Sequence, residues 1–279
     1  MKKLIGLSGV LAAGAALLLA SPAHAVTATS VIHPSDFVSG MSDTRTTGHY
    51  EVQGTGLHVW TEGNTSTDKV AEYVATNTPL AQATDTALNL TVNSGTIPPG
   101  AQLVVDFDGN GTPDGILVGE PTFYQTDWWL SNGSSQAVKV LAPLHTGGSG
   151  SDNHGTLAQW IAAFPDAKVV AFGFSLGSGV QGDYVIDSIR FAGTTYTFAK
   201  DVTLSGKDEC KSGGGATSTL PVYKNQGECV SAFASGKQPT APVTTVVVNT
   251  AAPVTAPAAA TAAISDALGA KAAWLASNR

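Results

Sequence analysis

Between residues 54 and 198 the chain alternates short β-branched or aromatic runs with Gly, Asn, Asp and Pro turns. This rhythm constrains the fold more than any other feature. The runs 57–61, 70–75, 88–92, 102–107, 116–119, 128–131, 138–141, 168–174, 184–191 and 195–198 read as ten strands. Short strands at such spacing predict an all-β sandwich or jelly roll. One helix interrupts them. Thr156 caps it, Leu157, Trp160, Ile161 and Phe164 share its apolar face, and Pro165 ends it. At most one strand–helix–strand crossover is then present, which argues against a doubly wound α/β fold.

The run 106–114 (DFDGNGTPD) joins two of the expected strands and sets oxygen side chains at alternating positions. Ca²⁺ takes six to eight hard oxygen ligands, and one loop here can offer several. Asp106, Asp108 and Asp114 bring carboxylates, Asn110 an amide oxygen and Thr112 a main-chain carbonyl. Gly111 stands sixth, where a calcium loop turns, but Leu117 occupies the twelfth position, where an EF-hand has a bidentate Glu. The plain alternative is an acidic hairpin turn. Three carboxylates within nine residues repel one another without a cation, so a structural Ca²⁺ is the expectation.

The first 25 residues are expected to be a signal peptide. Lys2 and Lys3 start it, 4–20 form its apolar core, and Ala23-His24-Ala25 supplies the cleavage pattern. Without that leader, 12 basic residues face 21 acidic ones, a net of −9. A chain this acidic is a poor partner for nucleic acid or an anionic membrane surface. The expectation is a secreted, extracellular protein with no membrane insertion after cleavage. Cys210 and Cys229 are the only cysteines, and in an exported chain they read as one disulfide.

Three further regions flank the sandwich at 54–199. Residues 26–53 are an N-terminal extension and 200–235 a disulfide-closed appendage. Residues 236–279 are a low-complexity Pro/Thr/Ala tail, expected to be disordered, with a short helix at 261–275. The segment 147–155 is a Gly/Ser loop.

Gly173-Phe174-Ser175-Leu176-Gly177 matches the G-x-S-x-G nucleophile elbow, yet the residues after it are glycines that start a helix poorly. No His follows His154, as that catalytic order requires. A strand ending in a Gly-rich turn is the preferred reading, and no catalytic residue is assigned. His145 and His154 bracket the Gly/Ser loop without metal-motif spacing and read as loop hydrogen-bonders. Glu120, Asp127, Asp183 and Asp187 are carboxylates from which a glycosidase pair could be drawn, with no specific signal.

Tyr124, Trp128, Trp129 and Asn132 are the candidate ligand-binding residues. Adjacent strand residues face opposite sides, so one of the two Trp rings points outward unless a second layer covers it. The alternative buries both, one against the helix carrying Trp160.

The phrases at 106–119 (DFDGNGTPDGILVG), 127–134 (DWWLSNGS), 155–166 (GTLAQWIAAFPD), 173–179 (GFSLGSG) and 182–198 (GDYVIDSIRFAGTTYTF) resemble a family of secreted actinobacterial β-sandwich proteins of uncharacterised function. The resemblance implies a lectin-like, concanavalin-like jelly roll. The segment from Cys210-Lys211-Ser212-Gly213-Gly214 to Cys229 resembles a short tail on such proteins, where a Trp often follows the paired glycines; Gly215 stands there instead. The reading that follows is a secreted, non-catalytic, calcium-stabilised module binding a glycan or another surface ligand. The alternatives are a hydrolase using Ser175 or an unrecognised carboxylate pair, and a structural or adhesive surface protein.

Overall fold

A computed structural model describes residues 28–147 and 151–237. The expected signal peptide, most of the tail and the helix expected there lie outside those residues. The strands run in order β1 (Ala28–Ile32), β2 (Gly48–Gln53), β3 (Gly56–Thr61), β4 (Lys69–Pro79), β5 (Ala87–Ser94), β6 (Gly100–Asp106) and β7 (Gly115–Gly119). After helix α1 (Pro121–Tyr124) come β8 (Trp128–Leu130), α2 (Gln136–Leu141), β9 (His154–Gly155) and α3 (Leu157–Ala163). Then follow β10 (Lys168–Gly177), β11 (Gly182–Phe191), β12 (Thr194–Phe198) and α4 (Gln226–Ser235).

The strands form two six-stranded sheets, so the expected all-β sandwich is what the chain adopts. In the first sheet the order is β1-β12-β11-β3-β2, with β5 also paired to β11; in the second it is β4-β10-β6-β7-β8-β9. Alternate residues of each strand point inward, as period-2 geometry requires. Leu57, Val59, Tyr184, Ile186 and Ile189 of one sheet share a core with Val70, Val74, Leu103, Val105, Leu117, Phe172 and Phe174 of the other. Each such side chain contributes about 1.5–3 kcal/mol on burial. Helix α3 seals one end: Phe107 packs on Phe164 and Trp160 at ring distances of 4.7 and 5.8 Å.

The stretch 26–53, read as an extension, supplies strands to the first sheet. β1 pairs in parallel with β12, and β2 pairs antiparallel with β3. The intervening 37–45 segment lies along the edge of β4, where the Val38 and Asp43 amides donate to the Tyr73 and Ala71 carbonyls at 2.9 and 2.8 Å. An edge that would otherwise expose unpaired backbone groups is thereby covered.

Residues 138–141, read as a strand, lie in α2 instead. The Ser135 hydroxyl accepts from the Val138 amide and caps this helix. The β-branched Val138 and Val140 favour extended backbone only weakly, and a cap two residues upstream of Ala137 decides otherwise. α3 carries the expected Thr156 cap, completed by Gln159 reaching back to the Thr156 amide.

Cys210 and Cys229 are bonded, with Cα atoms 5.8 Å apart. Around them Tyr223, Leu204, Val230 and Phe233 make a small separate apolar cluster. Gly215 is buried there, and a Cβ at that position would stand 3.3 Å from Cys229 Cβ. A Trp at Gly215 would therefore need a different packing of the appendage.

Candidate functional site

The loop between β6 and β7 brings the Asp106, Asp108 and Asp114 carboxylates together, with ligand oxygens within 4.8 Å of one another. Asp106 is buried and accepts main-chain N–H groups from Gly109, Asn110 and Gly111 at 2.8, 3.2 and 2.8 Å. The Asp114 carboxylate accepts from the Phe107 amide at 2.8 Å, and the Asn110 side-chain oxygen accepts from the Thr112 amide at 2.7 Å. Gly109 and Gly111 take φ of +76° and +89°, a backbone that other residues adopt at a cost. The loop is thus curled around its own carboxylates, and no Lys or Arg is paired with them among the described residues. These groups can hold a metal ion.

At the β8–β9 edge of the second sheet, the pairing sets Trp128 opposite Gly155 and Trp129 opposite His154. Trp128 faces the core at 8% exposure, and the Trp160 indole N–H donates to its carbonyl at 2.9 Å. Gly119 permits this: a Cβ there would sit about 3.0 Å from the Trp128 ring. Trp129 faces the other way and is half-buried. Its indole N–H donates to Glu120 at 2.8 Å, and its ring stacks on Tyr124 at 5.8 Å. Burial pushes the Glu120 carboxyl up, against the opposing effect of the Trp129 bond. Tyr124 is itself buried, and Asn132 is exposed, its carbonyl accepting from Lys139 at 2.8 Å. Of the four ligand-binding candidates, then, Trp129 alone is an aromatic ring partly open to solvent.

Beside these rings lies a cluster that residue spacing did not disclose. Nδ1 of His145 and Nδ1 of His154 both meet the same Asp127 oxygen, at 2.7 and 2.9 Å. Burial acts to raise the Asp127 pKa, but the two imidazole bonds outweigh it and hold the carboxyl below its ordinary value. The His154 ring packs edge-on against Tyr124 and His145, at 5.0 and 5.4 Å. Asp127, His145 and His154 line an open depression with Leu144 and Thr146. No short motif links them; β8–β9 pairing and the chain reversal after α2 bring them together.

A third grouping lies on the outward side of the first sheet. Cross-strand register places His49, Trp60 and Asp183 in one row and Glu51, His58 and Val185 in the next. Trp60 stacks with His58 at 4.4 Å and His49 at 5.0 Å. Asp183 accepts from Asn93 at 2.8 Å and bonds the His58 Nε2 at 2.8 Å; Thr91 donates to Asp187 at 2.9 Å. Burial would raise the Asp183 pKa, but the Asn93 and His58 bonds prevail and lower it. Sequence reading had named Asp183 and Asp187 only as unplaced carboxylates; the missed signal was Trp60 at alternation distance from His58, both outward.

Ser175 sits inside β10, paired with Ala71 of β4 and Gly100 of β6. Its hydroxyl donates to the Gly177 carbonyl at 3.2 Å, and it is 4% exposed. Strand, not elbow, surrounds it. His154 stands four strands away across the sheet, about 19 Å at 4.8 Å per strand. That distance excludes a Ser175–His154 hydrogen bond. Compared with protein-family models, curated proteins and solved structures, the chain matches none. No helix among the described residues is long and apolar enough to cross a membrane.

Proposed function

We propose that the protein is a secreted, non-catalytic module that binds a glycan or another surface ligand, as its resemblance to secreted actinobacterial β-sandwich proteins implies. The observation that carries this reading is the outward face of β2, β3, β11 and β5. There the half-buried Trp60 lies among His58, Asp183 and Asn93, held by the hydrogen bonds given above, and Glu51, whose carboxylate lies 3.4 Å from His58 Nδ1. Recognition sites combine a few placed polar groups with apolar or aromatic surface, and sugars present both kinds of partner. The polar groups here are fixed on strands, so little side-chain entropy is lost when a ligand engages them. On this reading the ligand face belongs to the first sheet, whereas Trp129 lies on β8 of the second and Tyr124 in α1.

The loop 106–114 is read as a calcium site that secures β6 to β7. Its donor set is all oxygen, which suits Ca²⁺ over softer ions. Asp106, Asp108, Asn110, Thr112 and Asp114 would hold the ion, whose charge would offset the mutual repulsion of the three carboxylates. The disulfide accords with an oxidising, extracellular compartment.

A glycan array probed with the protein lacking residues 1–25, with and without chelator, tests the binding reading. Selective signal on a related set of glycans is expected. A blank array together with release of reducing sugar from polysaccharide substrates would replace binding with catalysis.

A further inference from the structure

We propose that Asp127, His145 and His154 form a second metal site, selective for a divalent transition-metal ion such as Zn²⁺ and distinct from the all-oxygen loop. Three observations carry it. Two imidazoles present the same nitrogen, Nδ1, to one carboxylate oxygen at 2.7 and 2.9 Å. The three ligand atoms lie within 4.8 Å of one another. A tetrahedral ion with bonds of about 2.0–2.1 Å needs its ligand atoms about 3.4 Å apart, so the two His–Asp contacts must open by roughly 0.5–0.7 Å and the two nitrogens, within 4.8 Å of each other, close by at most about 1.4 Å. Finally, the His154 side chain is only 6% exposed and packs edge-on against Tyr124 at 5.0 Å, which holds its Nδ1 toward Asp127.

Two nitrogens and one carboxylate suit Zn²⁺, Co²⁺ or Ni²⁺ and are a poor set for Ca²⁺ or Mg²⁺. Three protein ligands also leave a coordination position for water or a ligand atom, on the side of the depression that these residues line.

The proton arrangement gives a sharper consequence. The Gln159 carbonyl oxygen accepts from the Thr156 amide at 2.9 Å, so its NH₂ faces His145 Nε2, 3.1 Å away. Nε2 of His145 is then the acceptor, and Nδ1–H donates to Asp127. A metal takes the Nδ1 lone pair, so each ring must carry its proton on Nε2 instead. At His145 that N–H would confront the Gln159 NH₂, donor against donor. Glutamate at 159 resolves the conflict: one oxygen accepts from Thr156 and preserves the cap, and the other accepts from His145. A carboxylate behind a ligating histidine strengthens its bond to the metal.

The test titrates the full mature chain, metal-free, with Zn²⁺ by calorimetry and with Co²⁺ by visible absorption. One equivalent of each is expected to bind, with ligand-field bands from nitrogen coordination for Co²⁺ and no competition from excess Ca²⁺. His145→Ala, at a ring that is 36% exposed, is expected to abolish binding while circular dichroism stays unchanged. Gln159→Glu is expected to tighten Zn²⁺ about tenfold. Asp106→Asn with Asp108→Asn is expected to leave Zn²⁺ binding intact. Absence of stoichiometric binding, or binding that neither His145→Ala nor Gln159→Glu alters, overturns the proposal.

Discussion

Asp68 shows how much one side chain can fix locally. Its two oxygens accept from the amides and hydroxyls of Thr47 and Thr65, joining the segment before β2 to the β3–β4 connection that holds Thr65 and Asp68. Gly63 makes room for it, since a Cβ there would stand 2.4 Å from the carboxylate. The hydroxyl bonds from Thr47 and Thr65 come first among the causes that lower the Asp68 pKa to about 2. The unfolded chain therefore binds the proton more tightly than the folded one. The stabilisation is complete above about pH 4 and is lost as pH falls toward 2. Chemical denaturation across that window should show stability falling with acid, and Asp68→Asn should flatten the slope; an equal slope in the variant contradicts this assignment. Ser175 is the second residue-scale case. With a carbonyl rather than an imidazole as partner, it lacks the base an activated serine needs. Ser175→Ala should change stability by at most about 1 kcal/mol. Fluorophosphonate labelling at Ser175 would refute its reading as a structural serine.

The strands were legible in the sequence where inward and outward residues alternate, as in β3 and β11, and where a short apolar run marks a fully buried strand, as in β6. They were not where pairing is set by distant partners. β9 has two residues and exists because Trp128 and Trp129 stand opposite it. β1 offers no alternation, yet pairs with β12 across the length of the chain. The same non-locality hid the Asp127 cluster, whose members are the residue before β8, the segment after α2 and β9. The acidic loop 106–114 was visible because its oxygen donors are close in sequence. The outward direction of one Trp followed from strand periodicity, but which one depended on Gly119 leaving space for Trp128. At this scale the appendage yields a direct expectation. Its apolar cluster is small, and the bond between residues 19 apart restricts its unfolded state. Cys210→Ser with Cys229→Ser should destabilise the appendage on the order of 3 kcal/mol in the chain-entropy model. Limited proteolysis should then cut within 200–235 while the sandwich stays intact. Simultaneous loss of both would mean that the appendage supports the sandwich.

For the molecule as a whole, the two sheets divide the tasks. Their inner faces build one core, the 106–114 loop fastens the β6–β7 hairpin, and the outward faces differ in chemistry. One carries stacked Trp60 amid acids and amides; the other is covered at β4 by 37–45 and carries the half-buried Trp129. An ion bound only by the folded state stabilises by mass action. Calcium should therefore raise the melting temperature, and Asp106→Ala with Asp108→Ala should remove the increase. An unchanged melting curve of the unsubstituted protein in chelator contradicts the calcium assignment.

The central claim is that ligand binds the Trp60 face and is not turned over. Its most direct measurement is calorimetric titration of the best array ligand into the unsubstituted protein, Trp60→Ala and Trp129→Ala. At least a tenfold loss of affinity is expected for Trp60→Ala, about 1.4 kcal/mol, with an unchanged affinity for Trp129→Ala and the ligand recovered intact. Undiminished binding by Trp60→Ala, or a ligand recovered as cleaved product, would contradict it.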